Sequence, residues 1–458
     1  MAAPIAWSVA MLGAAALIAT AAGAVDVLRR KRSRAAEWAS VQQSTVIGHD
    51  KRGSPVALSD EQLSAHGLIL GASGAGKSTT LLAILAANVQ RDRPVIAIDM
   101  KGSPAFAEAL ASAAAAAGRR FCLWTPDGPS SWNPLAHGKP TELKDKLIAT
   151  ERFTEPHYQR AAERYVQLAL QVLGELHPQR AVTFDEVVGV MDPRKLAPLL
   201  RELPRPRAAR IHDYLVTLTP DQLSAIRGLG TRLAIISESD TGRFLSPPAG
   251  QDALTVDLRA ALSGDQVVLF SLNSSTYGRF AAQLGTLVIQ DLVTAVGHRL
   301  SLQQQGVQQP QALVAVDEFS ALGAENVIAL LARSREPGVS MMLATQELAD
   351  LDRAAPGLRD QVLGNTAVKI AHRQDVPSSA QTIAQMAGTV KVWEETQQLG
   401  GVLGGATGRG SRRLGEQFAV HPNEIKSLRT GEAVVITKLP SASARTVRVR
   451  PPREGVER

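Results

Sequence analysis

A single cysteine, Cys122, stands in 458 residues. No intrachain disulfide and no four-thiolate zinc site is therefore available, and the thiol-poor composition suits a reducing compartment. The chain also lacks a charge excess over most of its length. Its formal net charge of +7 is confined to the ends: residues 1–40 sum to +3 and residues 438–458 to +4, which leaves the interior neutral. A blanket polycation is excluded, so any nucleic-acid contact has to follow a local basic track. No internal repeat is visible. Hydrophobic residues at 45% and charged residues at 20% exclude wholesale disorder, and the length suffices for one large elaborated domain or several ordinary ones.

Residues 4–25 carry no charge. As a helix they extend about 33 Å, enough to cross a bilayer core, and no second apolar stretch of that kind follows. Arg29, Arg30, Lys31, Arg32 and Arg34 come directly after this run, and no basic residue precedes it. Basic flanks stay cytoplasmic. The asymmetry predicts an uncleaved single-pass anchor over residues 1–28 with its N-terminus outside, a basic juxtamembrane linker over 29–44 and a cytoplasmic body. The alternatives are a signal peptide cleaved near Ala22 to Ala24 and a helix lying on or inside the protein.

Two short apolar runs at 45–48 and 55–58 flank a polar turn and read as a hairpin. Continuous apolar runs then recur at 67–70, 94–99, 120–124, 266–272, 312–316, 340–345, 367–371 and 433–437. Runs that do not alternate are expected of strands buried on both faces of a parallel sheet, so the chain is α/β. Between 139 and 246 the apolar spacing becomes helical, broken at Pro178, Pro193, Pro204 and Pro220. This predicts an all-helical insertion dividing a sheet domain into residues 45–138 and 247–440. The stretch 399–415 is glycine-rich, carries Arg409, Arg412 and Arg413, and reads as a mobile loop. Residues 441–458 read as a basic tail.

Gly71-Ala72-Ser73-Gly74-Ala75-Gly76-Lys77-Ser78-Thr79 follows one strand run and opens a helix, the context in which such a string cradles phosphates. Glycines bring backbone N–H groups close to the phosphates at a helix N-terminus, where partial positive charge accumulates. Lys77 is placed to reach the β- and γ-phosphates of ATP, and Ser78 to ligate Mg²⁺. The run 313–316 ends in Asp317-Glu318. An acid pair there supplies a carboxylate for the Mg²⁺ shell, Asp317, and a base for the attacking water, Glu318, although it could merely cap the next helix. Gln346 ends the following strand run and is a candidate sensor of the γ-phosphate.

Several strings in order then resemble the type IV coupling proteins of bacterial conjugation and type IV secretion, within the RecA-like DNA-pump ATPases. They are His66-Gly67-Leu68-Ile69-Leu70-Gly71, Ile98-Asp99-Met100-Lys101-Gly102, Trp132-Asn133-Pro134-Leu135, Asp317-Glu318-Phe319, Arg335-Glu336-Pro337-Gly338, Thr345-Gln346 and His421-Pro422-Asn423-Glu424-Ile425. The resemblance implies a RecA-like P-loop ATPase with a mostly parallel sheet, an inserted helical domain and a transmembrane helix, anchored in the bacterial inner membrane. It also implies a hexameric motor that joins single-stranded DNA bound to a relaxase with components of a type IV secretion channel. In such rings a neighbouring subunit completes the site with an arginine. The family pattern puts that role on Arg335, with Arg373 as the second candidate. This sequence departs in showing one apparent span where many members have two, and in lacking a long acidic C-terminal extension.

Competing functions are a protein-translocating secretion ATPase, a chromosome pump of cell division and a nucleotide-binding receptor that docks cargo without hydrolysis. Only residues 440–458 follow Leu439, too few for the DNA-reading domain expected of the chromosome pump. Glu318 argues against the receptor, which needs no base.

Overall fold

The structure, a computed structural model, describes residues 44–151, 153, 155–246, 254–322, 324–400 and 405–451. The expected anchor and all but residue 44 of the expected linker lie outside the described residues.

Among the described residues fifteen strands form: β1 (Thr45–Asp50), β2 (Pro55–Leu58), β3 (Gly67–Leu70), β4 (Val95–Asp99), β5 (Phe121–Trp124), β6 (Ser131–Trp132), β7 (Thr255–Val256), β8 (Val267–Ser271), β9 (Ala312–Asp317), β10 (Val339–Thr345), β11 (Val368–Ala371), β12 (Thr389–Gly400), β13 (Gly405–Phe418), β14 (Glu432–Thr437) and β15 (Ser443–Val449). Eleven make one sheet in the order β2-β1-β15-β14-β11-β3-β10-β9-β4-β8-β5. From β11 to β5 the neighbours are parallel, and these are the continuous apolar runs. Both faces are covered, so alternate residues of one strand serve different cores. Leu68, Leu70, Ile96 and Ile98 join one buried cluster, and Ile69, Val95 and Ala97 the other. The β1–β2 hairpin forms as expected and extends the sheet in the antiparallel sense.

Two segments differ from the sequence reading. The described parts of 399–415, residues 399–400 and 405–415, are strand: β12 and β13 pair as a long antiparallel ribbon in which Trp393 faces Leu414 and Glu394 faces Arg413. Glycine in a strand weakens the local signal, and only the partner strand reveals the pairing. Arg412 lies 4.6 Å over the Trp393 ring, and Trp393 and Leu414 are exposed. Part of the expected basic tail, Ser443–Val449, is β15, inserted between β1 and β14. Val447 and Val449 are buried while Arg448 and Arg450 are exposed, an alternation that the arginines disguise as a charged tail.

Between β6 and β7 the main described elements are helices: Pro140–Ile148, Pro156–Leu176, Phe184–Gly189, Pro193–Leu196, Arg205–Val216 and Pro220–Ser237, with a 3₁₀ turn over Ala197–Glu202. Four of them open on proline, where the missing N–H is not needed. Their apolar faces run into the same cluster as one face of the sheet. The join is polar at one point. Lys146 Nζ, 1% exposed, reaches Asp291 Oδ1 at 2.7 Å and the carbonyls of Pro134 (2.9 Å) and His137 (2.8 Å), while Trp132 Nε1 donates to Asp291 Oδ2 at 2.9 Å. Burial pushes the Asp291 carboxyl up from its ordinary range, against the pull of Lys146. Removing the lysine strands a buried carboxyl, so Lys146→Ala should cost about 3–5 kcal/mol in denaturant unfolding. A change below about 1 kcal/mol would show that the join does not depend on this pair.

Asp291 lies on helix Arg279–Gln304, the one described helix long and apolar enough to cross a membrane. Leu284, Leu287, Val288, Ile289 and Leu292 bury it inside the core.

Candidate nucleotide site

The parallel strands all end at one edge of the sheet, and five of these ends build the site. β3 delivers Gly71, and helix Lys77–Gln90 begins after Gly76. Gly74 and Gly76 sit at φ +72° and +112°, the left-handed region open to glycine. Gly71 is glycine for another reason: a Cβ there would lie 2.6 Å from Cβ of His372, which follows β11. The loop is tied to its neighbours through backbone. Gly71 N donates to the Gln346 carbonyl (3.2 Å), Ala72 N to the Arg373 carbonyl (2.9 Å), and Gly431 N to the Ala75 carbonyl (3.0 Å).

The catalytic candidates converge around this loop. Lys77 Nζ folds back on the carbonyls of Gly71 (2.6 Å) and Ala72 (3.3 Å). Burial, with repulsion from Lys101, lowers its pKa from the ordinary lysine value. Ser78 Oγ donates to Asp317 Oδ2 at 3.2 Å, and Asp317 Oδ1 accepts the Glu318 N–H at 3.0 Å. Gln346 Nε2 donates to Glu318 Oε1 at 2.6 Å. Glu318 itself has φ +55°, a conformation costly for a residue with a side chain and one that collects at functional sites. Ser73 and Gly74 are exposed at the lip of the loop, whereas Lys77 and Asp317 are buried.

Two contributors were not singled out as site residues from the sequence. Lys101, which follows β4, places Nζ 3.1 Å from Glu318 Oε1 and 3.5 Å from Asp317 Oδ2. Burial opposes its charge, but the two carboxylates outweigh burial and hold it above the usual lysine value. Its loop is pinned by Asp99, whose carboxylate accepts the N–H groups of Lys101 (2.9 Å) and Ser103 (2.7 Å). His372 is fully buried, with Nε2 2.8 Å from Thr80 Oγ1 and Nδ1 2.9 Å from the Glu432 carbonyl. Burial pushes it down to about 4, so it is a neutral strut behind the loop. The available signal was adjacency: Lys101 lies in the string that ends β4, as Glu318 lies in the string that ends β9.

The two arginine candidates separate. Arg373 follows β11, the direct neighbour of β3, and its Nε pairs with Asp375 at 3.1 Å. It thus stands beside the phosphate loop of its own chain. Arg335 precedes β10, whose seven residues span about 23 Å, so it lies at the opposite edge of the sheet from the loop.

The donor set fits Mg²⁺. Ser78 and Asp317 offer hard oxygens at one point, and a cation, the Lys101 ammonium, already rests on the carboxylates. No cluster of three or more metal-binding side chains occurs among the described residues, consistent with a metal that takes its remaining ligands from phosphate and water.

A family model described as the TraM recognition site of TraD and TraG matches residues 311–430, from β9 past the β12–β13 ribbon. A second, the FtsK/SpoIIIE family, matches residues 26–108, which include the phosphate loop and Lys101. No curated protein sequence matches the chain. Among solved structures, the unbound bacterial conjugative coupling protein TrwBΔN70 is 13% identical over 90% of each chain, with a TM-score of 0.62. TrwB in complex with ADP and Mg²⁺ is 12% identical over 90% of this chain and 91% of the other, with a TM-score of 0.60. VirB4 of Thermoanaerobacter pseudethanolicus is 14% identical over 90% and 97%, with a TM-score of 0.56. The solved structures share the fold of this chain, and the two family models fall on the segments that carry its phosphate loop and its acid pair.

Proposed function

We propose that the chain is an ATP-hydrolysing motor of the bacterial inner membrane that couples relaxase-bound single-stranded DNA to a type IV secretion channel and drives its transfer, working as a homo-oligomeric ring, most simply a hexamer. The observation that carries the reading is the meeting of Ser78, Asp317, Glu318, Gln346 and Lys101 beside the phosphate loop. In this reading Lys77 leaves the carbonyls of Gly71 and Ala72 for the β- and γ-phosphates of ATP. Ser78 and Asp317 hold Mg²⁺, which when bound neutralises charge on the phosphate oxygens. Glu318 takes the proton of the attacking water, and Gln346 fixes the carboxylate that does so. TrwB, the coupling protein of similar fold, was solved with ADP and Mg²⁺, which supports the same cofactors here.

DNA as cargo is supported by the family and by the exposed Trp393 with Arg412 stacked on it, a pairing of aromatic and cation suited to unpaired bases. Single-stranded DNA should raise the ATPase rate of the full-length protein whatever its sequence, and binding should weaken steeply between 50 and 200 mM salt, the range over which phosphate contacts fade. ATPase indifferent to DNA, with no binding at low salt, would favour the protein-secretion motor instead. The membrane topology rests on Arg29 to Arg34. A reporter fused after Ser40 should be active only inside the cytoplasm, and activity only outside would reverse the orientation.

A further inference from the structure

At the sheet edge opposite the phosphate loop, a cavity of about 440 Å³ opens between the segments that precede β10 and β11 and the end of β14. Arg335, Lys438, Asn365, Thr366 and His66 are among its lining residues. Below it Lys369, 1% exposed, donates through Nζ to the carbonyls of Leu363 (2.8 Å) and Thr366. Burial, aided by Lys438, pulls Lys369 down to about 7. His66 adds no compensating charge. Its Nδ1 accepts the Met341 N–H at 3.1 Å, so Nε2 carries the proton toward the Leu331 carbonyl at 3.1 Å, and burial together with Arg335 keeps it neutral by holding its pKa near 4.

Two cationic side chains, Arg335 and Lys438, thus gather with no carboxylate among the lining residues, and neither has an ion pair among the described residues. Like charges assembled without a counter-ion raise the free energy of the site, and an entering anion lowers it. Arg335 and Lys438 are both exposed, so that anion meets them from outside the chain. It cannot be the chain's own nucleotide, because the length of β10 separates Arg335 from the loop.

We propose that this cavity recognises the phosphoryl oxygens of the nucleotide held by a neighbouring subunit, with Lys438 acting beside Arg335. The inference rests on the assignment of Arg335 to a neighbour's site and adds a second cation to it. In a head-to-tail ring one face of a subunit meets a different face of the next, which is how an edge without a phosphate loop comes to face one that has it. The two side chains are complementary. Arg335 offers a planar fork for two oxygens, and Lys438 a compact charge on a flexible stem. Lys369 is a positioning residue: by capping the carbonyls at the end of helix Leu358–Asn365 it holds Asn365 and Thr366 at the rim.

The test compares full-length Lys438→Ala, Lys438→Arg and Arg335→Ala rings, alone and mixed with Lys77→Ala subunits, by kcat, with ring formation checked by mass. Lys438→Ala should lower kcat about 10–100-fold, the size of one charge-assisted hydrogen bond. Lys438→Arg should recover most of that loss, and mixing with Lys77→Ala should recover part of it. Parental kcat in Lys438→Ala would overturn the inference and leave Arg335 untouched. A loss that mixing does not recover, in rings where Arg335→Ala is recovered, would make Lys438 a residue of its own chain's stability and overturn it equally. Failure of both to recover would overturn the neighbour assignment of Arg335 itself.

Discussion

Full-length protein carrying Glu318→Gln will bind ATP with Mg²⁺ about as the parent does and turn it over about 10²–10⁴-fold more slowly. The geometry separates these two effects. Phosphate recognition depends on the loop backbone, Lys77, Ser78 and Asp317, none of which the change touches, and the glutamine can still accept from Gln346 Nε2, now 2.6 Å from Glu318 Oε1. The lost property is the capacity to take a proton. The change also removes one of the two carboxylates that hold Lys101, so the ammonium keeps Asp317 alone. Nucleotide binding by a fluorescent ATP analogue and single-turnover hydrolysis measure the two effects separately. Turnover within about threefold of the parent would remove Glu318 from the mechanism.

Arg335→Ala should lower kcat about 10³-fold or more if it completes a neighbour's site, the range seen when an arginine that stabilises a transferring phosphoryl group is lost. Within one chain Arg335 touches no part of the nucleotide site, so binding by isolated subunits should not change. Mixing Arg335→Ala with Lys77→Ala subunits, each inactive alone, should restore activity, because some interfaces then join an intact Lys77 to an intact Arg335. Demonstrably mixed rings that stay inactive would return the role to a residue in cis, and Arg373, already beside the loop, would be tested next.

Legibility in the sequence followed the range of the interactions. The phosphate loop was readable because its function is local: glycines, a lysine and a hydroxyl within nine consecutive residues, flanked by a strand and a helix. Asp317 and Glu318 were readable because a strand buried on both faces shows as an unbroken apolar run, and polar residues that end it must sit at the sheet edge. Gln346 followed by the same reasoning. The β12–β13 ribbon was misread because its glycines and arginines imitate a loop, although its two strands are consecutive in the chain.

What the sequence alone determined about this protein is therefore the set of elements and the chemistry each carries at its end: an α/β chain, a nucleotide loop, an acid pair and a helical insertion. Tertiary structure decided which ends meet. Only the order β11-β3-β10-β9-β4 puts His372, Gln346, Glu318 and Lys101 around one loop, since these four residues and the loop follow the ends of five strands drawn from across the chain and nothing local specifies which strands are neighbours. The same order places Arg373 beside the loop of its own chain, and the antiparallel return of β14 brings Lys438 to the far edge beside Arg335. A strand announces itself by what its own side chains bury, but its place in the sheet is set by the packing of both faces at once, which no single segment encodes.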